Sequence, residues 1–217
     1  MNLLASAIPD LKTLAAYSLA CFVLFVTPGP DMSLFLARTM AAGRRAGLAA
    51  MLGAMAGCCV HTSLAALGLS ALIAASSTAF ASLKIVGAVY LLWLAFDAVR
   101  NGSALRLREG SRAPASFRRD FLLGLGINLT NPKIVLFFVT FLPQFVDPGD
   151  PDAAAKLVFL GLYFVLFTSP MAAILVVGAE RALVLLTRRP RLMRAVDYLF
   201  AGVFAAFAIR IAAAETR

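Results

Sequence analysis

Charge is scarce in this chain, and the groups that build reactive centres are scarcer. Asp, Glu, Lys and Arg make up 14% of the 217 residues, with one histidine, one tryptophan and three cysteines. One histidine is too few for a His-rich metal site, and neither HExxH nor GxSxG occurs, so the usual signatures of an intramembrane or hydrolytic enzyme are missing. Cys58 and Cys59 are adjacent and cannot bridge each other without severe strain, while Cys21 stands alone. No metal-ligand spacing appears. Neither a metal nor a cofactor is expected, and the cysteines read as small apolar fillers. Acidic residues number 11 against 20 basic ones, a formal net charge of +9. The basic residues are spaced through loops rather than gathered on one face, and no recognition motif accompanies them, which excludes nucleic acid as a partner.

What is abundant is apolar. The chain is 61% hydrophobic with a mean hydropathy of +0.88, outside the range of ordinary soluble domains. Since about 20 residues cross the hydrocarbon, the apolar runs read as six transmembrane helices near 12–37, 48–74, 79–99, 121–145, 156–179 and 194–213. The expected fold is an all-α integral membrane protein with one transmembrane domain over residues 1–217. The first run reads as a retained span rather than a cleaved leader: it ends in Thr-Pro-Gly-Pro instead of a small-residue cleavage site and resumes at once as MSLFLA. The loops at 38–47, 100–120 and 180–194 hold fourteen basic residues, among them Arg38, Arg44, Arg45, Arg118 and Arg119. The other side holds four: Lys12, Lys156, Arg210 and Arg217. The positive-inside rule then puts both termini outside.

Two of the runs are interrupted, at matching places in the two halves. The first carries Thr27-Pro28-Gly29-Pro30-Asp31 and the fourth carries Asn131-Pro132-Lys133. Proline removes a backbone donor and clashes with the preceding turn, and a charge at the bilayer centre costs about 2.5–3.5 kcal/mol on insertion scales. A chain that only had to sit in a membrane would avoid both, so paired interruptions point to a transporter's binding site. Residues 1–113 and 114–217 hold three spans each; an odd number makes the second half enter from the opposite face, giving two inverted repeats. The second helix of each half is irregular too. Gly53-Ala54-Met55-Ala56-Gly57 reads as close helix packing, and Thr168-Ser169-Pro170 as a kink whose hydroxyls satisfy freed carbonyls.

Asn131-Pro132 has the form of an N-cap followed by proline at the first helical position. Gly29-Pro30 repeats it, with Asp31 in the first turn. Each break then starts a helix inside the membrane, where unpaired N–H groups and the helix dipole attract an anion such as a substrate carboxylate. Carbonyls just before each break suit an ammonium, so together the breaks suit a zwitterion. At 1.5 Å per residue, Asp31 lies about 10 Å and Lys133 about 20 Å from the boundary marked by Arg38 and Arg119. A buried Asp31–Lys133 pair and two groups facing a polar cavity are both open readings. Asn128, one turn before Asn131, shares its face and can line the site. His61, beside Thr62 and Ser63 in the second span, titrates near physiological pH; a proton relay and a structural hydrogen bond to a carbonyl are both open for it. Lys84 snorkels from the outer end of the third span.

Over most of its length the chain resembles the lysine-exporter (LysE/RhtB) superfamily, and within it the homoserine/threonine exporter type. TPGPDMSLFLARTMAAGRRAGLAAMLG, LKIVGAVYLLWLAFDAVR and FLLGLGINLTNPKIVLFFVTFLPQF carry the resemblance, in order and with natural spacing. It implies efflux of amino acids or related small metabolites across the bacterial inner membrane, driven by protons. It also implies that Pro28, Gly29, Pro30, Asp31, Asn131, Pro132 and Lys133 form the centre of the transport path. The expected partners are thus an amino-acid substrate, protons and the lipid bilayer, with homo-oligomerisation left open. A thiol-redox transporter of related fold would need a cysteine in the fourth span, which has none. A passive channel is not distinguished by sequence.

Overall fold

The computed structural model describes residues 8–101, 116–147 and 150–215, which are helical with no strand among them. Helix α1 (Leu11–Val26) begins where Asp10 caps it, its carboxylate accepting from Lys12 N at 2.9 Å and Thr13 N at 3.0 Å. The Thr13 hydroxyl, which also donates to it, and then these backbone bonds hold the exposed Asp10 carboxyl below the usual carboxylate range. Helix α2 (Pro30–Ala42) follows at a bend of 51°. Gly43, at φ 83°, turns the chain directly into α3 (Arg44–Ala75), a conformation that favours glycine. Helix α4 is Ser77–Asn101 and α5 is Phe117–Thr130. Helix α6 (Pro132–Leu136) continues through a π turn, Phe137–Phe141, and a 3₁₀ turn, Leu142–Phe145; this second broken span bends by 55°. Helices α7 (Ala153–Val177), α8 (Ala179–Arg188) and α9 (Pro190–Glu215) complete the described fold.

Arg44–Gly68, Ala153–Val177 and Pro190–Ile209 are each long and apolar enough to cross a bilayer, and counting each bent pair as one span raises the number to five. The remaining expected span, 79–99, falls in the continuous helix α4, which is not among those five. Large apolar side chains cover the outside; Leu67 and Leu166 are each 74% exposed. Such a surface suits lipid and not water.

Two expectations change. There is no loop at 38–47: α2 runs to Ala42 and α3 starts at Arg44, so Arg38 is a buried helical residue rather than a loop charge. The 180–194 stretch holds most of the short helix α8 instead of being all loop. Pro170 lies inside the continuous helix α7, and the Thr168 and Ser169 hydroxyls beside it bond the carbonyls of Phe164 and Val165 at 2.8 and 2.6 Å one turn earlier. Arg106, Arg108, Arg112 and Arg217 lie outside the described residues, as do the side chains of Lys84 and Arg210.

Close packing at Gly53 and Gly57 is as the sequence suggests. A Cβ on Gly53 would stand 1.9 Å from the Phe121 carbonyl, and one on Gly124 would stand 1.9 Å from the Ala50 carbonyl. Helices α3 and α5 therefore touch backbone to backbone. A Cβ on Gly57 would meet Asn128 Oδ1 at 2.5 Å, which fixes the height of Asn128 against α3.

Two larger apolar clusters and a small third one, Met32, Leu36 and Ala179, pack the bundle among the described residues. One joins Leu34, Phe35, Ala50, Met51, Ala54, Ala172 and Val176. The other is aromatic-rich and gathers Tyr17, Phe137, Phe138, Phe141, Phe164 and Phe204 around α1, α6, α7 and α9. Tyr17 is wholly buried there and donates its hydroxyl to the Leu160 carbonyl at 3.1 Å, which satisfies its polar tip.

Candidate functional site

Both broken spans open onto one cavity. At the first break the Thr27 hydroxyl bonds Val23 O at 2.8 Å and closes the end of α1. Pro28 cannot donate to the ladder, Gly29 is extended (φ −159°), and Pro30 starts α2 with Asp31 in its first turn. At the second break Asn131 is both the end of α5 and the N-cap of α6, its Oδ1 accepting from Lys133 N at 3.1 Å. The prolines thus shape the backbone, and the polar residues between them supply the lining.

Gly29, Asp31, Asn128, Asn131 and Lys133 line the cavity together with Thr27, a space of about 50 Å³. Asn128 Nδ2 donates to Asp31 Oδ2 at 2.9 Å, while Asp31 Oδ1 is buried without a hydrogen-bond partner. Lys133 Nζ donates to the Thr27 carbonyl at 2.6 Å, leaving two of its three donors. Among the described residues Asp31 and Lys133 form no ion pair with each other. Of the two readings open from sequence, two groups facing a shared cavity is the one observed.

The α6 terminus differs from expectation. Lys133 N is taken by the Asn131 side chain, and Ile134 N and Val135 N each reach Asn131 O at 3.0 Å. The end is capped by its own residues, so the Lys133 ammonium, not free N–H groups, is the cationic feature on this side. The freed carbonyl expected before the first break is there, at Thr27, and it already holds an ammonium.

Residues that sequence reasoning missed complete the wall. Phe25, Phe35, Met55, Ile134 and Phe164 give an apolar flank, and Cys58 and Thr168 lie beside them. Cys58 Sγ reaches Asn128 Oδ1 at 3.7 Å. Their spacing on α3 and α7 is that of any buried helix face, so nothing in the sequence marked them. His61 sits one turn beyond Cys58, buried, its ring stacked on Phe138 at 5.6 Å and its Nε2 3.4 Å from the Asn128 carbonyl. It does not line the cavity. Asn128 nevertheless joins it to Asp31, bonding one through its amide and meeting the other through its carbonyl. The cysteines are free thiols, and no metal-binding group of His, Cys, Asp or Glu occurs among the described residues.

The chain is 30% identical over 189 residues to the homoserine/homoserine lactone efflux protein of Salmonella typhimurium, covering 87% of this chain and 90% of that one. It is 28% identical over 199 residues to the leucine efflux protein of Klebsiella pneumoniae, covering 91% and 92%. A membrane protein of Vibrio cholerae is 31% identical over 211 residues, covering 95% and 99%. No solved structure matches the chain. Residues 22–215 match the family described as LysE type translocator, a range that takes in both breaks and every cavity residue; the chain belongs to that family of membrane transporters.

Proposed function

We propose that this protein exports amino acids or related small zwitterionic metabolites across the bacterial inner membrane in exchange for protons, by alternating access between two inverted three-helix repeats, 1–113 and 114–217, with both termini outside. The observation that carries this is the pairing of opposite charges in one cavity: Asp31 from the first broken span with a buried, unpartnered oxygen, and Lys133 from the second with unused donors. Lys133 would hold the substrate carboxylate and Asp31 its ammonium. Charged hydrogen bonds of this kind are about twice as strong as neutral ones in a site shielded from water.

The apolar flank of Phe25, Phe35, Met55, Ile134 and Phe164 favours a substrate whose side chain is uncharged, because Asp31 is the one acidic residue in the lining and is already committed to the ammonium. The leucine and homoserine efflux activities named for its relatives agree with this. Proton coupling would come from protonation of Asp31, which cannot hold both a proton and the substrate ammonium, or of His61. One repeat rocking against the other would expose the cavity to each side in turn.

The test is efflux from cells preloaded with labelled leucine, threonine, homoserine, lysine or cysteine, comparing the intact protein with Asp31→Asn. Faster loss of a neutral amino acid, abolished by the substitution at equal protein level, is expected. Equal loss of every compound with and without the protein would rule the reading out.

A further inference from the structure

The site described above leaves a deeply buried charged pair unused. Arg38 Nη2 lies 2.8 Å from Asp120 Oδ1, with side chains 3% and 0% exposed. Arg38 is on α2, in the first half of the chain; Asp120 is in the first turn of α5, in the second. The same two helices are joined a second time, by the Asn128–Asp31 hydrogen bond. Helices α2 and α5 therefore carry two polar rungs: one at the cavity, and one at the end where α2 turns into α3 and Arg44, Arg45, Arg118 and Arg119 stand. Between the rungs lies the apolar cluster of Leu34, Phe35, Ala50, Met51, Ala172 and Val176. Along α2 the order is Asp31, Phe35, Arg38; back along α5 it is Asn128, Gly124, Asp120.

We propose that Arg38 and Asp120 are the gate of the transport path on the Arg-rich side: paired and dry when that side is closed, parted and hydrated when it opens. The proposal rests on the exporter reading and its orientation, in which this side is cytoplasmic. The chemistry of the pair suits a switch. Breaking a buried ion pair without water is strongly unfavourable, even though Asp120 also has Arg119 at 3.7 Å and accepts from Ser116 N at 3.3 Å. Opening the path admits water, and each ion then recovers the hydration it lost on burial. Closed and open states thus stay close in free energy, which an apolar latch exposed to water would not achieve. The pair is also mechanically tied to the site, because α2 carries both Asp31 and Arg38 and α5 carries both Asn128 and Asp120. A substrate ammonium that takes Asp31 from Asn128 removes the inner rung, and the outer one is left to hold the helices together alone.

Cys58 lines the cavity and serves as a native reporter. In protein carrying Cys21→Ala and Cys59→Ala, its alkylation by a membrane-impermeant maleimide is timed in inside-out and right-side-out vesicles. Arg38→Ala and Asp120→Asn are each expected to speed alkylation about tenfold in inside-out vesicles alone, the size of a modest population shift. The exchanged double variant, Arg38→Asp with Asp120→Arg, returns the rate toward that of the parent. Unchanged alkylation in both single variants, purified with the parent's elution profile, overturns the gate, as does a rise confined to right-side-out vesicles. A second arm does not depend on the single variants folding. In a background lacking the native cysteines, Arg38→Cys with Asp120→Cys is bridged by a short bis-methanethiosulfonate. Bridging is expected to stop efflux and reductant to restore it; undiminished efflux after complete bridging overturns the proposal. Alkylation requires no substrate, so a failed efflux assay with a responsive Cys58 would count against the exporter reading and not against the gate.

Discussion

Asn128 Nδ2 donates to Asp31 Oδ2 at 2.9 Å, joining the helix before one membrane break to the helix after the other. Asn128 is 1% exposed, and its position is set by Gly57, which leaves it room, and by Cys58. Its replacement by leucine keeps the branched shape, with bulkier ends, and removes the donor. A hydrogen bond to a charged group contributes about 1.5–3 kcal/mol, so Asn128→Leu is expected to cut efflux tenfold or more while the protein still reaches the membrane in normal amount. Initial efflux rates normalised to immunoblot signal decide it; a rate within twofold of the parent would show that the bond is incidental.

Lys133 and Gly29 make a paired test. The ammonium sits 3.5 Å from where a Gly29 Cβ would be, an ordinary contact, and the Gly29 backbone is extended and open to any residue. Gly29→Ala should therefore transport nearly normally, whereas Gly29→Leu pushes the ammonium off Thr27 and should not. Lys133→Ala removes the cation altogether and is expected to abolish export at normal protein level. Export lost in Gly29→Ala would mean that the glycine has a conformational role this geometry does not require.

The breaks were legible because proline cannot be hidden in a helix ladder: Pro28, Pro30 and Pro132 announce the discontinuities, and Asn131 announces the cap. Asn128 followed from helical spacing alone. The Arg38–Asp120 pair did not, because an arginine near the end of an apolar run is ordinarily a loop charge, and Asp120 sits among Arg118 and Arg119. The signal was present in the register. Asp31, Phe35 and Arg38 share a stripe on α2, and Asp120, Gly124 and Asn128 share one on α5. What no spacing could show is that the two stripes face each other, since that depends on how the halves dock. The apolar wall was illegible for a similar reason: Phe35 or Met55 looks the same against a cavity as against a core.

Glycine at the α3–α5 crossing gives a stability prediction with its own control. A methyl on Gly124 would lie 1.9 Å from the Ala50 carbonyl, whereas nothing stands within 4 Å of one on Gly126. Overpacking costs about 1–3 kcal/mol, and alanine in an open helix position gains up to about 1 kcal/mol over glycine. In detergent melting, Gly124→Ala should lower the midpoint and Gly126→Ala should leave it equal or higher. Equal midpoints for the two variants would mean that the helices are not in backbone contact.

His61 separates coupling from binding. It touches the Asn128 carbonyl but not the cavity, so its replacement should leave the substrate contacts in place. If protonation of His61 takes part in the coupling, His61→Gln keeps efflux down a substrate gradient yet loses the acceleration produced by acidifying the outside. Asp31→Asn loses both, since that carboxylate holds the substrate as well as the proton. The measurement is efflux from preloaded vesicles with and without an imposed pH gradient, for the parent and both variants. Full acceleration in His61→Gln would make the histidine a structural partner of Asn128 and leave Asp31 to take its proton directly from water in the cavity.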